Sequence, residues 1–176
     1  MIIHMRHRGF TIVELIIVIS IMAILLVLSV ANLLGSEANA RDAKRKIDIA
    51  TIAQHLETYY TSGTDSSTAI GTYPSTALTT SVPSSVTKML RDIDLKSITA
   101  PNMTDPVTPT QTFISATNNI QTTAGVLPQP TISQYVYQPL HSDGSLCNDT
   151  AECRKFNLYY RLETDNNVYT ITSRSQ

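Results

Sequence analysis

A chain of 176 residues is sized for one compact domain plus whatever its N-terminus adds. The formal net charge of −1 gives no electrostatic reason to expect a nucleic-acid surface. His4, His7, His55 and His141 show no metal-ligand spacing, no Ser-His-Asp or Cys-His pattern stands out, and no Gly-rich phosphate loop occurs, so no enzyme, metal or cofactor is expected.

The N-terminus reads RHRGFTIVELIIVIS over residues 6–20. A basic leader and Gly9 precede an apolar run that carries one acid, Glu14, near its start. An ionised carboxylate in hydrocarbon costs roughly 2.5–3.5 kcal/mol on insertion scales, so Glu14 needs a reason to be there. From Leu15 to Ala31 only Ser20 and Ser29 interrupt the apolar residues. With its flanks the run covers about 25 residues, or about 37 Å of helix, against a hydrocarbon core of roughly 30 Å. A cleaved secretory signal would be shorter and end in small residues. Ala38 and Ala40 in NLLGSEANA keep that alternative open.

Helical patterning continues past the apolar run. No proline occurs before Pro74, and Ile49, Ile52, Ala53, Leu56, Tyr59 and Tyr60 recur at spacings of three and four, the mark of an amphipathic helix. Gly63 is a stop signal. The expectation is one helix from Phe10 to about Thr61, apolar all round in its first half and on one face in its second. Arg41, Lys44, Arg45 and Lys46 between the halves read as a solvated collar with local acid partners. A positive-inside count over these residues against Arg6 and Arg8 would place the N-terminus outside; the cysteines below argue the reverse.

Residues 62–133 are rich in Ser, Thr and Pro and read as a long connection facing solvent. Within it Val86, Met89, Leu90 and Ile93 predict a short helix near 85–95. Three stretches then alternate with period two: Tyr135 with Tyr137, Phe156 through Leu162, and Val168 through Thr172, as half-buried strands do. TDNN joins the last two as a hairpin. Glu163, Asp165, Asn166 and Asn167 offer oxygen atoms to a calcium ion, but their spacing is not that of an EF-hand loop, and a plain turn is expected. Cys147 and Cys153 lie too far apart for a zinc knuckle or thioredoxin-like site. They read as a small disulfide loop, which needs an oxidising compartment. The fold class is α+β: a long N-terminal helix packed on a small C-terminal antiparallel sheet at 134–176.

The combination of basic leader, Gly9-Phe10, Glu14 and a long apolar run in RGFTIVELIIVISIMAILL closely resembles the start of type IV prepilins and of type II secretion pseudopilins. The resemblance implies a leader at 1–9 removed by a prepilin peptidase after Gly9, N-methylation of Phe10, a transmembrane and filament-core helix at 10–34, and an amphipathic continuation at 35–61. It also implies a homo-oligomeric helical filament, served by an assembly platform and minor pilins and drawn from the membrane to the cell surface. Cleavage would leave a cationic amine on Phe10, about 6 Å along the axis from Glu14; pairing with that amine would satisfy one chain, and pairing with a neighbour's amine would set the register of assembly. The alternatives are a pseudopilin of a secretion or competence system and a membrane-tethered binding domain. Family members often carry a helix-breaking proline in the apolar half; this chain has none there.

Overall fold

The computed structural model describes residues 10–63, 70–80, 83–101, 112–148 and 152–175, without the side chains of 30–34 and 83–84. The expected leader at 1–9 with Gly9, the turns around Pro106 and Pro109, and the middle of the cysteine loop lie outside these residues. The chain divides into two compact units, Met1–Ala38 and Asn39–Gln176.

Helix α1 spans Ile12–Ser62. Its start is a capping box: Thr11 Oγ1 accepts from the Glu14 N–H at 3.2 Å, and Glu14 Oε2 lies 3.5 Å from the Thr11 N–H. Thr-x-x-Glu satisfies two backbone donors that a helix otherwise leaves open. At the far end Gly63 has φ of 61° and donates to Tyr59 O at 2.7 Å, the left-handed termination that glycine supplies without a Cβ clash. Arg91 donates to the carbonyls of Ser62 and Gly63 at 3.1 and 2.9 Å, so a cation also meets the negative end of the helix.

In the second unit, strands β1 (Phe113–Ser115), β2 (Tyr135–Leu140), β3 (Lys155–Arg161) and β4 (Val168–Thr172) form one sheet in that order. β2, β3 and β4 are antiparallel, and the hairpin closes with Leu162 N–H on Asn167 O at 3.1 Å. Ile49, Ile52 and Leu56 of α1 are fully buried in the same core as Tyr135, Tyr137, Phe156 and Leu158. The α+β architecture with a long N-terminal helix is therefore as the sequence indicates.

Two features differ from the sequence reading. First, β1 lies within the stretch read as a connection, and it pairs parallel to β2, making the sheet mixed. That stretch also supplies core: Leu78, Val86, Leu90, Ile93 and Ile98 are buried, with α2 at Ala77–Thr80 and α3 at Pro83–Met89. Second, β2 and β3 are buried on both faces rather than half-buried. The segment after β1 folds over the second face, where Ala116 and Val126 pack on Val136 and Tyr159. Gln138 holds it there. Its amide donates to the carbonyls of Asn118 and Ile120 at 2.8 and 3.1 Å, and its oxygen accepts from Asn157 Nδ2 and Tyr159 Oη. A buried amide so fully partnered avoids the desolvation cost of an unmatched one.

Candidate functional site

Within the first unit, Ile12–Ser29 is long and apolar enough to cross a membrane by length and composition, and none of it is buried. Phe10, Ile12, Leu25, Leu26 and Val27 all expose more than half of their surface. Such an apolar surface marks a membrane or protein contact, because soluble monomers seldom expose contiguous patches beyond a few hundred Å². The two hydroxyls in this stretch are satisfied internally, Ser20 on Ile16 O at 2.7 Å and Ser29 on Leu25 O at 2.8 Å, so they do not require water. Phe10 stands before the helix, 83 % exposed, and Glu14 occupies the third helical position beside Thr11. Sequence reasoning gave Glu14 one partner, the future amine, and missed the cap. The signal was present as Thr-Ile-Val-Glu before an apolar run.

In the second unit the charges of the expected collar are not a solvated ring. Arg45 has no exposed surface. It donates to Asp42 Oδ1 at 2.7 Å and to Ile132 O at 2.9 Å, with Glu163 Oε2 at 3.4 Å. Arg41 takes Glu163 in a two-pronged pair at 2.9 and 2.7 Å. Asp42 in turn accepts the backbone N–H groups of Glu163 and Thr164 and the Thr164 hydroxyl, at 2.8, 2.9 and 2.7 Å. Lys44 and Tyr135 both donate to Asp48, at 2.6 and 2.9 Å. Only Lys46 of the four basic residues is exposed. The cluster clamps α1 to the β3–β4 turn. Basic residues here serve the fold because the turn presents a carboxylate and open amides to that helix face. The same bonds occupy the oxygens weighed as calcium ligands: Glu163 is held by arginines, and Asp165 accepts from Tyr169 Oη at 2.6 Å and Asn167 N–H at 2.9 Å. Among the described residues no group of three or more His, Cys, Asp or Glu is placed to hold a metal.

Burial pushes the Asp42 carboxyl up, but bonds from the Glu163 N–H, the Thr164 hydroxyl and N–H, and Arg45 outweigh it and lower its pKa from 3.8 to about 2. A depressed acid stabilises the fold above its unfolded pKa, and that stabilisation is lost as pH falls through the folded value. The window thus runs from about pH 4 down to about pH 2, and the shift corresponds to about 2 kcal/mol. Asp48 acts in the opposite sense, because burial raises it despite its bond to Lys44. Chemical denaturation between about pH 5 and pH 2 should show the acid-side loss shrinking by about 2 kcal/mol in Asp42→Asn. An unchanged pH slope in that variant would place the acid sensitivity elsewhere.

Cys147 and Cys153 are joined by a disulfide, with Cα atoms 5.7 Å apart and both residues buried. On the loop-entropy argument so short a ring stabilises by roughly 2–3 kcal/mol. Backbone bonds tie the base of the loop to its surroundings: Tyr73 N–H donates to Cys153 O at 2.8 Å and Cys147 N–H to Pro139 O at 3.0 Å. His55 Nδ1 bonds Leu90 O, so that ring braces the segment after α3.

Among curated proteins and among solved structures, none matches the chain. The N-terminus does match a family model, and the match contains Phe10, Thr11, Glu14 and the exposed apolar helix described above. Residues 4–30 carry the prokaryotic N-terminal methylation motif, the signature of type IV pilin and pseudopilin precursors.

Proposed function

We propose that this chain is the structural subunit of a type IV pilus, made as a precursor, cleaved after Gly9, methylated on the new N-terminal Phe10 and polymerised through its N-terminal helix. The observation that carries the reading is the methylation motif at residues 4–30 set on a helix segment with no buried side chain among those described. Before assembly the segment is a membrane anchor. In a filament the same surface packs on copies of itself. Exchange between the two loses little hydrophobic free energy, since lipid and neighbouring helices are similarly apolar, and packing with polar pairing decides the outcome. A heterologous contact repeated along an axis does not close and gives an open helical polymer. Pilin-type proteins are generally structural, and the roles proposed for Gly9, Phe10 and Glu14 are those of processing and assembly, not catalysis.

The second reading is a pseudopilin of a type II secretion or competence system, which carries the same N-terminal signature. The Ser/Thr-rich composition of the connecting stretch supports an exposed filament over a periplasmic piston. N-terminal sequencing and mass spectrometry of the natural protein should find a methylated phenylalanine at Phe10. Electron microscopy of sheared surface filaments, with this chain identified in them, should separate pilus from pseudopilus. A mature protein starting at any other residue sinks both readings. A correctly processed protein that stays monomeric in the membrane sinks polymerisation and leaves a tethered extracellular domain.

A further inference from the structure

β4 presents an open sheet edge. Leu162 N–H bonds Asn167 O and Ser173 N–H bonds Phe156 O, which fixes the antiparallel phase: odd-numbered residues of β4 bond inward to β3. The backbone groups of Val168, Thr170 and Thr172 therefore point outward, and among the described residues they have no hydrogen-bond partner. The opposite edge strand is not left this way. β1 has α2 against it, with Ser115 Oγ bonded to Thr79 Oγ1 at 2.7 Å and to Thr76 O at 3.2 Å. β4 also lacks the usual protections of an edge, since VYTIT contains no Lys, no Pro and no bulge.

Beside this edge runs a groove of about 570 Å³ between α1 and β4. Ala50, Ala53 and Ile171 give it apolar lining, and Gln54, Thr58 and Thr172 give it polar lining. Its two charged residues differ in state. Glu57 is fully engaged, by Tyr73 Oη, Arg174 N–H and the Ser175 hydroxyl. The Arg174 guanidinium meets no carboxylate among the described residues, although its own backbone is pinned at the groove's end.

We infer that the β4 edge is a docking site for an extended peptide segment of another protein, added antiparallel as a fifth strand. The partner chemistry follows from the groove. Every second residue faces Ala50 and Ala53 and is small and apolar. The residues between lie beside Thr170 and Thr172, where Thr–Thr pairs are favourable. An acid at the N-terminal end of the segment meets Arg174. Main-chain bonds supply the affinity and the alternate side chains the selectivity. The inference stands whether or not the chain polymerises.

The test uses the full-length chain in detergent micelles and the peptide acetyl-Asp-Thr-Val-Thr-Val-Thr-amide. With peptide at ten times its Kd, amide exchange by NMR should slow about tenfold at Val168, Thr170 and Thr172. Tyr169 and Ile171, already bonded to β3, should change little. Thr170→Pro removes one outward donor at an edge position where proline is tolerated, and it should abolish binding. Ala50→Leu fills the groove from an exposed helix position and should do the same with thermal stability unchanged. Arg174→Ala should weaken binding about two- to fivefold at low salt. No added protection at the three amides, or equal binding by the folded Thr170→Pro and Ala50→Leu variants, overturns the inference. Protection that rises with protein concentration in the absence of peptide also overturns it, by showing that a second copy fills the edge.

Discussion

Glu14→Gln is expected to stop filament formation while leaving the start of α1 intact. The capping box accepts Glu or Gln at its third position, because either side chain carries an oxygen that reaches back to the backbone N–H of Thr11. What the substitution removes is the charge. On the proposed processing, the amine of Phe10 is a cation about 6 Å along the axis from Glu14, and a buried ammonium without a counter-charge is costly. On the proposed assembly, a neighbouring subunit's Glu14 would supply that counter-charge at one axial step only. Glu14→Ala should fail in both respects, losing about 1 kcal/mol of capping as well as the pair. The measurement is the yield of sheared filaments against the amount of mature subunit in the membrane. Normal filament yield from Glu14→Gln would reduce Glu14 to a capping residue.

The second large effect is expected at Arg45. Its side chain has no exposed surface and bridges Asp42, Glu163 and the Ile132 carbonyl. Removing one partner of a buried ionic network leaves the others unmatched, at a cost of about 3–5 kcal/mol. Arg45→Met should lower the unfolding free energy by that amount, read by denaturant titration of the detergent-solubilised chain with near-ultraviolet dichroism of its tyrosines. Arg45→Lys should recover little, since an ammonium lacks the fork that reaches three acceptors. Lys46→Met, one residue along on the exposed face, should stay within about 0.5 kcal/mol of the unchanged protein. Equal effects at the two positions would mean that the clamp contributes nothing specific.

The contrast between Arg45 and Lys46 shows where sequence reasoning stops. Four basic residues in six positions look alike in one dimension. Helical phase places Arg45 on the side of Ile49 and Ile52, and Lys46 away from it, yet phase alone does not say that an acid waits there. Glu163 is 118 residues away, and only the packing of the β3–β4 turn on α1 makes it a partner. The alternation in β2 and β3 was similarly incomplete. Tyr135, Tyr137, Phe156 and Leu158 announced one buried face, but burial of the other depended on the segment around Asn118 and Val126 folding back, for which polar, irregular residues carry no periodic signal.

By itself the sequence determined the features whose causes are local. The apolar run and its length, the glycine and phenylalanine before it, the capping Thr11 and Glu14, the stop at Gly63 and the period-two strands all arise from interactions over a few residues, and the order of letters contains them. It also determined the processing and assembly reading, because that motif is contiguous. The tertiary structure alone decided that β1 joins the sheet in parallel, that Arg45 is sealed inside, that Gln138 anchors a second layer and that β4 is left with an open edge. Each of these depends on which distant segment arrives beside which, a matter of long-range packing that adjacent residues do not record.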